Sequence, residues 1–225
     1  QHVARGHPLE VTVVPGYACN NRCQHCMVRG LAAPERSLDD HLAAIREAFE
    51  RGVRTVTVEG GEPTLYPQLL ELVRGARDLG MTEVMIETNG RRCAYRPYAR
   101  GLVDAGATMV FVTFQGARAD NHDRVTGTPG SFGQSLQGLR NLIACGCGGL
   151  GVNLPLHRHL LGGDALVQAI RFFARLGVRR FMLQYPTPFG AFRGHAHALP
   201  RYAEVAAPLR AAFAAFPTLD LRVMN

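Results

Sequence analysis

Residues 55–90, TVTVEGGEPTLYPQLLELVRGARDLGMTEVMIETNG, contain a complete strand–helix–strand unit. The β-branched run Thr55–Glu59 and the run Glu83–Glu87 each predict a buried strand. Between them, apolar residues recur at helical spacing from Pro67, which suits the first turn of a helix, to Gly80, which suits its end. Two strands joined through one helix are expected to lie parallel, with a right-handed crossover.

The same alternation continues along the chain. Near-continuous apolar runs, as expected of strands covered on both faces, predict the other strands: Glu10–Val14, Met109–Phe114, Leu150–Pro155, Arg180–Tyr185 and Leu219–Val223. Further helices are predicted from Ser37 (with Asp40 in a capping box), Ser131 and Asp164, and over Arg201–Ala215, with Ile143 and Phe213 among the residues facing the core. Six successive βα units predict an α/β fold, a partial (βα)6 parallel barrel with a possible final edge strand. Ligands bind such folds at the carboxyl ends of the strands.

Length and composition limit the class of protein. The 225 residues suit a single domain over residues 1–225, and an end on a strand-like run without a closing helix favours truncation of a longer core. We find no run of 18 apolar residues and no secretory leader, so we expect a cytoplasmic protein without a membrane span. The net charge of +7 comes from arginines spread along the chain, with no lysine, so we expect no nucleic-acid partner.

Three of the six cysteines follow the first predicted strand within eight residues, as CNNRCQHC over residues 19–26. Closely spaced thiolates select iron–sulfur clusters, zinc or copper(I). Structural zinc sites take four ligands in two separated pairs, and only His25 offers a nearby fourth ligand. A cubane cluster is usually held by four thiolates, so three would leave one iron open to a ligand from outside the protein. An iron with an open coordination position can bind a reactant, whereas a structural cluster does not leave such a position open.

The spacing C-x3-C-x2-C resembles the radical S-adenosylmethionine (radical SAM) superfamily. The resemblance implies an enzyme whose [4Fe–4S] cluster is held by Cys19, Cys23 and Cys26. In that superfamily the open iron chelates the methionine moiety of S-adenosylmethionine. An electron from a reductant such as flavodoxin or ferredoxin then releases a 5′-deoxyadenosyl radical, which abstracts hydrogen from the substrate.

Polar motifs after the later strands support the resemblance. Gly60, Gly61 and Glu62 resemble the superfamily's motif for the methionine amino group, although Gly-Gly-Glu-Pro alone is also a turn. Thr88-Asn89-Gly90 resembles a segment that shapes the cofactor cleft. Other cofactor contacts implied by the resemblance are Thr113 and Gln115, in place of a Ser-x-Asp pair, Arg124 for the cofactor carboxylate, Asn153 and Gln184. These later motifs are closest in pattern to the peptide-modifying and sulfatase-maturing (SPASM-type) branch.

Several residues have no settled role. Cys93 and Tyr185 are weak catalytic candidates, because each follows a strand on the ligand side. Two histidine pairs, His157 with His159 and His195 with His197, also follow strands and are either solvated or a joint site for a metal or an acidic substrate. Cys145 and Cys147 precede a strand and are expected to be half-buried apolar residues.

Three functional hypotheses remain open from the sequence. The leading one is a radical SAM enzyme acting on a peptide or protein side chain, as the branch resemblance implies. Its alternative is a radical SAM enzyme acting on a small metabolite in cofactor or natural-product biosynthesis. A hypothesis of another class is a non-catalytic iron–sulfur electron-transfer or zinc-binding module, in which Gly60–Glu62 would have no purpose.

Overall fold

The computed structural model describes residues 10–32, 36–187 and 189–224. Within them, seven parallel strands form one half-barrel sheet in chain order. The strands are β1 (Val11–Val13), β2 (Thr55–Val58), β3 (Glu83–Thr88), β4 (Met109–Thr113), β5 (Leu150–Pro155), β6 (Arg180–Gln184) and β7 (Asp220–Met224). The predicted α/β partial barrel is confirmed, and the possible final edge strand is β7, which pairs with β6.

Helices connect each strand to the next. They are α1 (Leu38–Glu50), α2 (Leu69–Asp78), α3 (Arg96–Asp104), α4 (Ala119–Thr126), α5 (Ser131–Ala144), α6 (Arg158–Leu161), α7 (Ala165–Arg175) and α8 (Tyr202–Ala215), with short 3-10 turns at Pro63–Leu65, Arg92–Ala94 and Gly190–Ala198. The predicted capping box at Ser37 is present: its hydroxyl accepts from Asp40 N, and the Asp40 carboxylate accepts from Ser37 N. It fixes the start of α1.

Two predicted helix starts were wrong in detail. Helix α2 begins at Leu69, two residues beyond Pro67. Ser131 lies inside α5 and does not cap it, because Gly130 takes the N-cap position at a left-handed φ of 79°. The Ser131 hydroxyl instead donates to Asp123 at the end of α4 (2.9 Å).

Helices α3, α4 and α6 were not predicted. Helix α3 contains Pro97 and Gly101 and buries only Ala99 and Leu102, so its apolar periodicity is weak. Helix α4 is short and polar, and α6 has four residues. Such elements form because the surrounding sheet and helices hold them in place.

The two faces of the sheet differ in polarity, which corrects the expectation of strands covered on both sides. One face points to the helices and is buried and apolar: Val56 and Val58, Val84 and Ile86, Val110 and Val112, Val152 and Leu154, Phe181 and Leu183. The alternate residues reach the concave face, and those at the carboxyl ends, with Glu59, Glu87 and Thr113 among them, carry polar groups. Polar side chains therefore point into the cavity at this end of the barrel.

Ile143 and Phe213 do not face the core as predicted, since 38% and 44% of their surface is exposed. In α5 the buried stripe runs through Gly138, where a Cβ atom would lie 2.1 Å from the Gly90 carbonyl oxygen. In α8 it includes Ala212, which is fully buried. Small residues allow both helices to pack closely, and this rotates the larger side chains outward.

Within the described ranges, we find no helix long and apolar enough to cross a lipid bilayer.

Candidate cofactor site

A cavity of about 300 Å³ opens at the carboxyl ends of the strands. The loops after β1, β2, β3, β4 and β6 contribute to its wall, together with the end of β5. The predicted site residues that line it are Cys19, Cys23, Cys26, Gly60, Gly61, Glu62, Thr113, Gln115, Asn153, Gln184 and Tyr185. Residues separated by most of the chain thus meet at the end of the barrel where the topology predicts a ligand.

Pairing between the first two strands continues into their loops and positions the cysteine segment. The amide N–H of Gly61 donates to the Gly16 carbonyl (3.0 Å), and that of Glu62 donates to the Ala18 carbonyl (2.8 Å). A Cβ atom at Gly61 would lie 2.4 Å from the carbonyl oxygens of both Tyr17 and Ala18. The glycine is required because the backbone before Cys19 packs directly on it.

The β3 loop clamps the cysteine segment from another side. Asn89 Nδ2 donates to Asn20 Oδ1 (2.7 Å) and lies 4.0 Å from the Cys19 sulfur. Arg91 donates through Nη1 to Asn21 Oδ1 (2.8 Å) and to the Asn20 carbonyl. Asn89 thus gives the Thr-Asn-Gly motif a contact with the cysteine loop, whereas the sequence pattern gave no signal for Arg91.

Glu62 is the buried centre of this side of the cavity, with 3% of its surface exposed. Its Oε1 accepts from the Thr64 amide (3.1 Å), the Thr64 hydroxyl (2.6 Å) and the Thr88 hydroxyl (2.5 Å), and its Oε2 accepts from the Asn89 amide (2.7 Å). Burial raises the pKa of Glu62, while these hydrogen bonds act in the opposite direction. The carboxylate therefore ties the β2 loop to the β3 loop.

The pKa values of the Cys19 and Cys23 thiols are raised inside the cavity. Burial raises the pKa of Cys23 to about 12, with further contributions from Cys19 and Cys26. Burial, Glu62 and Cys26 also raise the pKa of Cys19. Thiolates held this close need compensating positive charge, which bound iron supplies.

The donor set fits a [4Fe–4S] cluster better than a single ion. Among the described residues, no three His, Cys, Asp or Glu side chains converge as the ligands of one metal ion. In a cubane each thiolate binds a different iron, so the sulfurs must share a cavity rather than a point. The Nε2 atom of His25, the alternative fourth ligand, instead lies 2.7 Å from Gln115 Oε1.

Polar side chains from β4, β5 and β6 form the opposite wall. Thr113 lies beside Asn153 in the β4–β5 register. Asn153 Nδ2 donates to Gln184 Oε1 (3.0 Å), and its Oδ1 atom is buried without a hydrogen-bond partner. Gln115 is buried between His25 and His157, with its Oε1 atom 3.2 Å from His157 Nε2. The wall offers hydrogen-bonding groups to a polar ligand.

Five histidines lie in two groups on the loops of the cavity side. His25 stacks on His157, with ring centroids 5.7 Å apart, and His157 contacts His159 at 5.6 Å. Burial, with His25 and His159 adding to the effect, lowers the pKa of His157 to about 3. His195 and His197 lie 6.0 Å apart on the 3-10 turn after β6. Of these five, only His25 lines the cavity.

Two predicted site residues, Arg124 and Cys93, do not line the cavity, and a third, Tyr185, lines it with its hydroxyl already bonded elsewhere. Arg124 is exposed on α4, where it donates to Asn121 Oδ1 (2.7 Å) and approaches His159 Nε2 (3.4 Å). Cys93 is fully buried in the core, where burial raises its pKa to about 12. Tyr185 lines the cavity with its ring, but its hydroxyl donates to the Pro200 carbonyl (2.7 Å).

Sequence reasoning missed two carboxylates in the cavity, Glu59 and Glu87. Both were assigned only as strand ends. Their signal is the period of two along β2 and β3, which places each on the face opposite the buried Val58 and Ile86. Carboxylates at the same level of two neighbouring strands indicate that this face of the sheet borders a cavity and not the apolar core.

Comparison with known proteins agrees with this geometry. A family model described as the radical SAM superfamily matches residues 13–164, well over half of the chain. A probable GTP 3′,8-cyclase of Saccharolobus solfataricus is 28% identical over 197 residues, which cover 84% of this chain and 62% of that protein. The mycofactocin maturase MftC of Mycobacterium ulcerans is 33% identical over 179 residues, covering 77% and 47%. The chain thus spans less than two thirds of either relative.

Solved structures share the fold at lower identity. SuiB of Streptococcus suis, solved bound to S-adenosylmethionine, superposes with a TM-score of 0.82 at 16% identity, over 100% of this chain and 53% of that one. Fold and site together define an α/β half-barrel with a loop of three cysteines at its mouth. The chain belongs to the radical SAM superfamily, as predicted, and that superfamily uses a [4Fe–4S] cluster and S-adenosylmethionine.

Proposed function

We propose that this chain is the catalytic core of an enzyme that cleaves S-adenosylmethionine reductively and abstracts hydrogen from a peptide or protein side chain. When bound, the cluster and S-adenosylmethionine supply the electron transfer and the 5′-deoxyadenosyl radical. The observation that carries the proposal is one cavity lined by Cys19, Cys23, Cys26 and the Gly60–Glu62 loop.

The loops have separate roles in this proposal. The three thiolates hold the cluster and leave its fourth iron to the cofactor. Glu62 is occupied by the chain's own donors, so the backbone of Gly60 and Gly61 is the part proposed to meet the cofactor's ammonium group. The hydrogen bond from Gly61 N to the Gly16 carbonyl holds this backbone in place. The arrangement orients the cofactor through rigid backbone rather than through a flexible side chain.

The opposite wall is proposed to receive the nucleoside part of the cofactor. Thr113, Gln115 and Gln184 offer hydroxyl and amide groups there. Assignment of Asn153 to the cofactor stays a prediction, because its amide nitrogen already donates to Gln184. Assignment of Arg124 to the cofactor carboxylate stays a prediction, because in this structure its guanidinium contacts Asn121 and His159.

Relatives support two substrate classes. The similarity to a maturase, and the fold shared with SuiB, which was also solved bound to its precursor peptide SuiA, favour a peptide. The similarity to a GTP cyclase favours a small metabolite as the second candidate. The open cavity mouth, lined by the loops after β1, β2, β3, β4 and β6, suits a peptide segment that enters from solution.

The proposed reaction requires an electron donor and reduced thiols. A flavodoxin or ferredoxin is the proposed donor, as elsewhere in the superfamily. All six cysteines are free in this structure. Because cluster assembly needs thiolates, we propose that the enzyme works in the reducing cytoplasm.

Anaerobic turnover tests the proposed function. Protein reconstituted with iron and sulfide, then reduced with dithionite in the presence of S-adenosylmethionine, should yield 5′-deoxyadenosine. Cys19→Ala, Cys23→Ala and Cys26→Ala should each lose cluster iron and product, whereas Cys147→Ala, at a buried cysteine outside the cavity, should keep both. A full cluster without product would contradict the proposal, as would zinc bound without iron or sulfide.

A further inference from the structure

Glu59 and Glu87 lie side by side in the cavity. Val58 pairs with Ile86 in the parallel register of β2 and β3, and each glutamate is the next residue along its strand. Adjacent strands are separated by about 4.8 Å, so the two side chains leave neighbouring backbone positions on the same face. Both line the cavity that also contains the three cysteines.

Among the residues that the structure describes, no positive charge pairs with these two carboxylates. Across the described parts of the chain, no ion pair and no side-chain hydrogen bond reaches either of them, although the net charge is +7. Burial, together with Glu59 and Glu10, raises the pKa of Glu87 to about 7. Burial and Glu10 also raise the pKa of Glu59. Two half-buried acids side by side disfavour each other's charge until a cation arrives.

Asn153 is an independent indication of a ligand in the same cavity. Its side chain is 2% exposed and lines the cavity, and its Oδ1 atom has no hydrogen-bond partner within the described structure. Its amide nitrogen is already committed to Gln184. A buried acceptor without a donor is costly, so the cavity is built to receive a group that donates hydrogen bonds.

The occupant that satisfies these groups is an organic cation. Carboxylates and an amide oxygen accept hydrogen bonds, and an ammonium or guanidinium group supplies several donors with positive charge. A metal ion fits less well, because no three ligand side chains of the described residues converge on one point.

We propose that Glu59 and Glu87, with Asn153 Oδ1, form a subsite that binds a positively charged nitrogen of the substrate, such as the side chain of lysine or arginine in a peptide. This inference rests on the proposed function, since it names the substrate class of the same cavity. The subsite shares the cavity with the cluster ligands, so a basic side chain bound there is held near the radical.

S-adenosylmethionine carries cationic groups of its own. The test must therefore separate binding of the substrate's cation from binding of the cofactor's cation. The reconstituted enzyme, saturated with S-adenosylmethionine, is titrated with acetylated and amidated tripeptides Gly-Lys-Gly and Gly-Arg-Gly. The neutral isosteres Gly-norleucine-Gly and Gly-citrulline-Gly are the comparison, and calorimetry measures each Kd. The affinity of the enzyme for S-adenosylmethionine is measured separately.

The parent enzyme should bind each charged peptide at least about tenfold more tightly than its neutral isostere, as charge-assisted hydrogen bonds predict. Glu59→Gln and Glu87→Gln should each reduce this preference, and the double variant should abolish it. Glu83→Gln, an exposed position on β3, is the matched control and should keep it. The Kd for S-adenosylmethionine should stay within about twofold, and circular dichroism should show that all variants are folded.

Three results would overturn the inference. They are equal or undetectable binding of charged and neutral peptides to the parent, a preference that persists in the double variant, and a loss of S-adenosylmethionine affinity in the glutamate variants. The last would assign the pair to the cofactor. Release of 5′-deoxyadenosine without any peptide tests the proposed function separately, because it needs no substrate.

Discussion

At the scale of single residues, Glu62 shows how a motif residue serves the fold as well as the site. Sequence resemblance assigns it to the cofactor, and it does line the cavity. Its carboxylate, however, accepts four hydrogen bonds from Thr64, Thr88 and Asn89. No sequence pattern predicts the bonds from Thr88 and Asn89, because these residues lie 26 and 27 positions away in a loop that the sheet brings close.

Glu62→Ala should therefore destabilise the protein by roughly 3 kcal/mol, since it leaves buried donors without their charged acceptor. Thermal or urea unfolding measures the change in the free energy of unfolding. Glu50→Ala, at an exposed position at the end of α1, is the control and should change stability little. Equal stability of the two variants would show that Glu62 has no structural role.

Glu87 should make the stability of the protein depend on pH. Its pKa is raised from 4.5 to about 7 by burial, Glu59 and Glu10, so the folded state holds the proton more tightly than the unfolded state. Stability contributed by the protonated carboxyl is present below pH 4.5 and is lost as the pH rises through 7.

Glu87→Gln keeps the shape without the charge. Its stability should match the parent at about pH 4.5 and exceed it at pH 8 by on the order of 3 kcal/mol, at about 1.36 kcal/mol for each unit of pKa. Melting temperatures across this range, with Glu83→Gln as control, measure the difference. A constant offset at all pH values would show that Glu87 ionises normally.

At the scale of elements, the strands were the most predictable part. All seven lie where short apolar runs placed them, because a strand that packs one face on the helices needs apolar, often β-branched, residues whatever its neighbours are. Helices α3 and α4 were missed because their burial depends on packing partners, not on an apolar stripe. The cavity carboxylates Glu59 and Glu87 are not predicted for a related reason. Near-continuous apolar runs predict burial of both strand faces, whereas β2 and β3 alternate between a buried face and the cavity.

The loops after β1 and β2 act as one element. Gly61→Ala would place a Cβ atom 2.4 Å from the Tyr17 and Ala18 carbonyl oxygens, so the backbone before Cys19 must move. We expect the variant to bind well under half of the parent's cluster iron after identical reconstitution. Iron and sulfide analysis with the 400 nm absorbance region measures this.

Gly148→Ala is the control for this substitution, because a Cβ atom there meets nothing within 4 Å. It should reconstitute like the parent. Full cluster content in Gly61→Ala would show that the cysteine loop does not depend on its packing against the glycine.

At the scale of the whole molecule, the half-barrel brings polar residues that are scattered along the sequence together around one cavity. The cysteine segment and the Gly60–Glu62 loop were predictable because their spacing is local and their chemistry is narrow. Arg124 is predicted by the family resemblance and Cys93 by its position after a strand, but the structure puts the first on the exposed surface of α4 and the second in the core. Direction of a side chain is decided by packing, which sequence position alone does not give.

The central claim is that Cys19, Cys23 and Cys26 hold a cluster whose remaining iron binds S-adenosylmethionine. Electron paramagnetic resonance of the reduced, reconstituted protein tests it most directly, with and without S-adenosylmethionine labelled with ¹⁷O in its carboxylate and ¹⁵N in its amino group. We predict a changed spectrum and hyperfine coupling to both labels. An unchanged spectrum without coupling, from a protein with a full cluster, would contradict the claim, because it would show that a fourth protein ligand closes the cubane.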